Sequence, residues 1–241
     1  MNLKGKIAVI IGATGGIGSE ISNKLQSEGA RLILVGRNNI KLNKSLASSH
    51  QFFEVNISDP IQIHAFSQKL TDQLDKIDFL INAAGIGLYK SLADTTYDDW
   101  QSSIAINVTA PFIFIKDLLP LLQKTSDSIV LTIGSGAGVI PMKGRSMYCA
   151  SKFALRGFIL SLAEEFAGRS PRFCLITLGS TLTDFAGTSV EKKKEEYKKG
   201  RAYFTPEWVA NKLVEIVKKD YRETEYTLYP GDFGFGTWKK P

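Results

Sequence analysis

One run near the start of the chain limits its fold more than any other. Lys6-Ile7-Ala8-Val9-Ile10-Ile11 is a continuous apolar stretch rich in β-branched residues, the composition of a strand buried on both faces of a parallel sheet. Gly12-Ala13-Thr14-Gly15-Gly16-Ile17-Gly18 follows at once, and Ser19–Ser27 then carries helical periodicity up to Gly29, a residue type that commonly ends helices. Strand, glycine turn and helix in this order predict a phosphate site. Without Cβ atoms the backbone turns tightly and comes close to a pyrophosphate, whose charge rests on the free N–H groups of the helix's first turn. Arg31–Asn38 supplies the second strand of a βαβ unit. Its end, Gly36-Arg37-Asn38, has no carboxylate to accept from ribose hydroxyls, whereas the Arg37 fork suits a 2′-phosphate. NADP(H) is therefore the expected cofactor, with NAD(H) second to it.

Composition narrows the class further. With 241 residues, 44% hydrophobic and 22% charged, the chain has the make-up of one folded domain with a large core. The net charge of +6 is dispersed except in Glu191–Arg201, which reads as a solvated helix face, with a role in holding an anionic ligand as the alternative. A nucleic-acid partner is not expected, since neither a clustered basic face nor a reader motif is present. Cys149 and Cys174 show no metal-ligand or disulfide spacing, no metal site is expected, and His50 and His64 read as surface residues. No signal-peptide pattern and no membrane-length apolar run are evident, so the expectation is a cytoplasmic protein without a membrane partner.

The α/β alternation continues downstream. Gln51–Asn56 reads as a third strand, Asp59-Pro60 opens a helix to about Leu74, and Asp78–Asn82 is a fourth strand leaving through Asn82-Ala83-Ala84-Gly85. Small residues there let a ring or ribose lie against the backbone, or simply make a tight exit. The helical stretch Tyr97–Lys124 carries Asn107 in its middle and Pro111 four residues later. Asn is a poor helix former and Pro lacks an N–H, so this helix should bend near Asn107 and free a carbonyl. Ile129–Ile133 gives way to Gly134-Ser135-Gly136, which puts a hydroxyl at a strand's carboxyl end, where open α/β sheets bind ligands. In Met147-Tyr148-Cys149-Ala150-Ser151-Lys152, the start of a helix to about Phe166, Tyr148 and Lys152 share one face. That spacing alone is better explained by packing and solvation; the glycine turn upstream makes it a candidate site. Arg172–Leu178 is a sixth strand left by the polar loop Gly179–Phe185, Pro206–Asp220 a helix, and Glu225–Tyr229 a last strand. The charged, weakly periodic segment Ala186–Tyr203 reads as a mobile lid without a strand, spanning about 184–205 with its flanks.

Together these residues resemble the short-chain dehydrogenase/reductase family from Leu3 to Thr183, about three quarters of the chain. The family's motif order is met by Gly12/Gly16/Gly18, Asn82-Ala83-Ala84-Gly85, Asn107, Ser135, and Tyr148 with Lys152, and the thirteen-residue step from Ser135 to Tyr148 is its usual one. The resemblance implies an α/β, Rossmann-type fold: a doubly wound, predominantly parallel seven-stranded sheet with helices on both faces. It implies a catalytic set of Asn107, Ser135, Tyr148 and Lys152 beside a nicotinamide. Cofactor contacts are implied for Gly12, Thr14, Gly15, Gly16, Ile17, Gly18, Arg37, Asn38, Asn56 and Ile57. They are implied equally for Asn82, Ala83, Ala84, Gly85, Tyr148, Lys152, Gly179, Thr181 and Thr183, the last on the carboxamide. Departures are Ile11 for a frequent threonine, Asn56 for the aspartate near the adenine, Leu178 for the proline before Gly179, and a tail without the closing glycine pair.

On this reading a small-molecule carbonyl or alcohol is the substrate. Tyr148 would exchange a proton with its oxygen while hydride moves, Ser135 would hold that oxygen, Lys152 would hold the ribose, and Asn107 would order a water leading from Lys152 to bulk. Bringing a tyrosine from ~10 to ~7 takes roughly 4 kcal/mol, which an ammonium about 4 Å away supplies at an effective dielectric near ~20. Leu88-Tyr89, Val139-Ile140-Pro141-Met142 and Phe185 read equally as a partly apolar pocket or as loop packing. The apolar helices near Trp100–Leu122 and Met147–Phe166, with the family's habit of pairing them, predict a homodimer or homotetramer. The rival readings are an NAD-linked or epimerising relative and a nucleotide-sensing regulator without turnover. The four intact positions argue against the regulator.

Overall fold

The computed structural model describes residues 1–38 and 44–237. Seven parallel strands form one sheet in the order β3-β2-β1-β4-β5-β6-β7: β1 Ile7–Ile11, β2 Arg31–Gly36, β3 Gln51–Glu54, β4 Phe79–Asn82, β5 Ile129–Ile133, β6 Arg172–Leu178 and β7 Glu225–Leu228. The helices are α1 Gly16–Ser27, α2 Lys44–Ser49, α3 Pro60–Gln73, α4 Tyr97–Ile104, α5 Ala110–Gln123, α6 Ser146–Glu165, α7 Val190–Lys198 and α8 Pro206–Lys218. This is the expected Rossmann-type architecture.

Strand alternation builds the two layers. Ala8, Ile10, Leu32 and Leu34 point to one face, where Ile21 and Leu25 of α1 and Leu213 and Val217 of α8 cover them. Val9, Ile11, Ile33 and Val35 point to the other, against Phe66 of α3, Phe114 and Leu118 of α5 and Ile159 of α6. Both faces being covered explains why the strands read as unbroken apolar runs rather than alternating ones. The order reverses between β1 and β4, whose carboxyl ends open a crevice at that switch point.

The bend expected near Asn107 is a π turn, Ala105–Thr109, between α4 and α5. Such a turn inserts one residue, so one carbonyl leaves the regular ladder. The combined helix Tyr97–Gln123 is, contrary to expectation, long and apolar enough to cross a membrane by length and composition. Its apolar character is accounted for by Ile113, Phe114, Leu118 and Leu121, buried against the sheet.

The segment read as a lid holds α7, capped at Ser189 by its side chain accepting from Lys192 N–H. Glu191–Arg201 is not simply a solvated face: Lys193 is buried and its Nζ donates to Thr183 O at 2.6 Å. The tail closes on the base of this segment. Thr237 N–H donates to Gly200 O and Ala202 N–H to Thr237 O, while Phe204 stacks on Trp208 with ring centroids 4.2 Å apart and meets Phe235 edge-on at 5.3 Å. His50 is half-buried rather than a surface residue, its Nδ1 accepting from Leu32 N–H at 3.2 Å. His64 is exposed, 2.6 Å from Asp117.

Candidate active site

A cavity of about 790 Å³ lies along the carboxyl ends of the strands. Its wall takes in the glycine turn through Gly12, Thr14, Gly15, Gly16 and Ile17, the end of β2 through Arg37 and Asn38, and Asn56 and Ile57 after β3. Ala83, Ala84 and Gly85 after β4, Ser135 after β5, Tyr148 and Lys152 on α6, and Gly179, Thr181 and Thr183 after β6 complete it. Gly18, Asn82 and Asn107, also named from sequence, stand behind the wall. A Cβ on Gly18 would lie 2.1 Å from Gly12 O, so this glycine lets α1 pack onto its own turn. Asn82 is buried in β4 with Nδ2 donating to Thr132 Oγ1 at 3.2 Å, and its Oδ1 has no partner.

The turn is shaped to take a dinucleotide's phosphates. Gly12 has φ +86, and a Cβ there would lie 2.7 Å from Ala84 N; one on Gly16 would lie 2.5 Å from Thr183 Cγ2. The backbone is thus drawn against both the β4 exit and the β6 loop. Gly15 caps α1 without any side-chain bond to its first-turn N–H groups, which leaves those donors for an anion. Gly36 packs just as tightly, since a Cβ there would meet Thr14 Cγ2 at 2.9 Å, and this brings exposed Arg37 to the cavity rim.

The other end of the cavity is walled by side chains. Tyr148 is buried on α6 with the Ser135 hydroxyl near enough to act on its phenol. Its ring meets Tyr89 at 5.5 Å and Phe185 at 5.8 Å between centroids, both edge-on. Lys152, also buried, donates from Nζ to Ile133 O at 3.1 Å and lies 5.9 Å from the centre of the Tyr148 ring. Asn107 joins these pieces. Its Oδ1 accepts from Ile86 N–H at 2.9 Å, and its Nδ2 donates to Ile86 O and to Ser151 Oγ, both at 2.9 Å. Its side chain thus holds the β4 exit loop to α6.

The electrostatics correct the sequence argument for Tyr148. Burial, with the neighbouring Tyr89, pushes its phenol above the ordinary tyrosine value; the Ser135 hydroxyl and the Arg145 charge oppose this. Burial also lowers Lys152, to about 8. The expected drop toward neutrality counted an ammonium about 4 Å away but not the cost of burying a phenolate. Here burial prevails, and Lys152, itself lowered by burial, does not reverse it.

Sequence reading did not single out Arg145, Tyr203 or Tyr229 and took Lys193, Glu196 and Arg201 only as part of a charged segment; all six line the cavity. Arg145 had a usable signal, because it precedes Tyr148 by one helical turn. The others reach the cavity through long-range packing that no local pattern announces. Of the residues read as pocket or loop packing, Ile140, Met142 and Phe185 line the cavity, while Val139 is exposed.

Comparison with known proteins agrees with this geometry. The family model described as short chain dehydrogenase matches residues 6–194. Nodulation protein G of a Rhizobium species is 32% identical over 82% of this chain and 80% of its own length. The 3-oxoacyl-[acyl-carrier-protein] reductase of Escherichia coli is 30% identical over 76% and 77%. Among solved structures, a metagenomic short-chain oxidoreductase in complex with NADP is 26% identical, with a TM-score of 0.78 and coverage of 95% and 98%. A match over most of the chain, with the motifs gathered on one cavity, makes this protein a member of the short-chain dehydrogenase family of oxidoreductases.

Proposed function

We propose that the protein is an NADP(H)-dependent oxidoreductase that interconverts a carbonyl and an alcohol, with Tyr148 as the proton donor and acceptor. The observation that carries this reading is the meeting of Tyr148, Ser135 and Lys152 on the wall of the same cavity whose far end is the glycine turn. When bound, the nicotinamide supplies or accepts the hydride. The Tyr148 hydroxyl, kept protonated by burial, donates to the substrate oxygen, and Ser135 steadies the charge developing there. Lys152 supports the phenolate left behind. Asn107 fixes the distance between these groups and the floor at Gly85.

NADP(H) over NAD(H) is supported by Arg37 at the cavity rim and by the lack of a carboxylate at the end of β2. The NADP held by the metagenomic relative points the same way. The segment from about 184 to 205 is the lid of the substrate end. Assembly as a homodimer or homotetramer is supported by Trp100, Phe112 and Phe153, large side chains between 43% and 45% exposed on α4, α5 and α6. Light scattering at micromolar concentration should give at least a dimer, and a monomer would refute the pairing. The reading as a whole is tested by an NADPH-oxidation screen across ketones, aldehydes, keto-sugars and acyl-thioester ketones. Turnover of at least one class is expected. No oxidation with any of them, although NADPH binds, would overturn it in favour of a binding protein without turnover.

A further inference from the structure

The cations around the substrate end of the cavity are not equivalent. Arg201 is neutralised by Glu196, with Nη1 2.9 Å from Oε2, and the same carboxylate accepts from the Tyr203 hydroxyl. Lys193 is spent on Thr183 O at 2.6 Å. Arg145 differs from both. Among the described residues it has no carboxylate within ion-pair distance, and its recorded side-chain hydrogen bond runs from Nη1 to Met142 Sδ at 3.4 Å, a weak acceptor. Its guanidinium carbon lies 4.2 Å from the centre of the Tyr89 ring, and Tyr89 packs against Tyr148. A guanidinium held by its face keeps its N–H donors in the plane, where they fit two oxygens side by side. Half-buried, it lines the same cavity as Tyr148 and Ser135. A partly desolvated fork without an oxygen acceptor among the described residues, one turn before the phenol, is built for an anion that arrives with the substrate.

We propose that Arg145 anchors a carboxylate on the substrate, so that the substrate is an oxo acid and the product the corresponding hydroxy acid. This rests on the reductase reading above. The carboxylate is a spectator: the carbonyl carbon gains the hydride, its oxygen gains the Tyr148 proton, NADPH leaves as NADP⁺, and solvent restores the phenol. A carboxylate fits better than a phosphate ester. Arg145 offers one positive charge, and the surroundings, Ile140, Met142, Phe185 and the carboxylate of Glu196, would oppose a second negative one.

The test uses 3-oxobutanoate, 4-oxopentanoate and 5-oxohexanoate beside the methyl ester of each, with NADPH oxidation as the readout. At the best chain length, kcat/KM for the acid should exceed that for its ester by on the order of 10-fold or more, the worth of one charge-assisted fork. Arg145→Gln should bring that ratio near one, mainly through KM for the acid, and Arg145→Lys should keep part of it. A wild-type ratio near one at every chain length, or a ratio unmoved by Arg145→Gln, overturns the anchor. Calorimetric titration of 5-oxohexanoate into the NADP⁺-loaded wild-type and Arg145→Gln proteins reads the same contact without chemistry. Binding lost in the variant, with no ketone reduced by either protein, would retain the anchor and sink the reductase reading. Reduction of the esters with no preference for the acids would do the reverse.

Discussion

The two ends of the cavity are built by different means. At the glycine turn the wall is backbone: Gly12, Gly16 and Gly36 each leave no space for a Cβ, and α1 presents its uncapped first turn. At the Tyr148 end the wall is side chains from distant parts of the chain, among them Met142, Arg145, Phe185, Glu196, Tyr203 and Tyr229. A backbone wall recognises a group that is always the same, because peptide N–H groups cannot be varied by substitution. A side-chain wall can be changed residue by residue. The first end should therefore fail all at once when a methyl is added, and the second should lose one function at a time.

The largest expected effect separates chemistry from binding at the side-chain end. Tyr148→Phe removes one hydroxyl and keeps the ring between Tyr89 and Phe185, so turnover should fall by on the order of 10³-fold or more while NADPH affinity, followed by its fluorescence, stays nearly unchanged. Full carbonyl-reducing activity in this variant would remove the phenol from the mechanism. Next comes the backbone end. Gly12→Ala forces a left-handed φ of +86 on a side chain aimed at Ala84 N; overpacking of this kind costs about 1–3 kcal/mol. NADPH affinity and the melting midpoint should drop together. A variant that binds NADPH normally would show that this end is not the cradle its geometry describes.

Arg37→Asp should weaken NADPH by roughly 10–100-fold, the scale of a charge-assisted hydrogen bond to a phosphate, with little change for NADH; equal losses would make Arg37 an ordinary surface charge. The smallest effect is in pH. Burial lowers Lys152 to about 8, so its ammonium is present below that pH and lost above it. Its support for the Tyr148 phenolate goes with it, and the reduction rate should fall as pH rises through about 8. Lys152→Arg, if residual activity can be followed, should move that fall upward. A flat profile to pH 10 would uncouple the two residues.

This contrast also explains what was legible in the sequence. Ile7–Ile11 and Gly12–Gly18 are contiguous and dictated by local sterics, so the βαβ start, the sheet class and the tight glycine turn could be read directly. Tyr148 and Lys152 share a helix, so their common face was readable by spacing, but only the glycine turn upstream marked that face as a candidate site. The helical disturbance at Asn107 was visible, but the partners of its amide were not, since Ile86 and Ser151 are reached only through tertiary packing. The same holds for Glu196, Tyr203 and Tyr229. The Tyr148 electrostatics were misjudged because a sequence shows which charges are near but not how much water has been removed from around them.

The three hydrogen bonds of Asn107 bear on dimensional error. Ile86 lies 21 residues before it and Ser151 lies 44 after it. Summed along those stretches of chain, small variations in bend and pitch would let the floor of the cavity and Tyr148 drift apart by more than a reaction tolerates, since displacement on the order of 1 Å can cost ~10²-fold in rate. One rigid carboxamide touching both pieces short-circuits that sum. Helices α4 and α5 can then lengthen, shift or change their outer faces, and the gap between Gly85 and Tyr148 is reset at a single point.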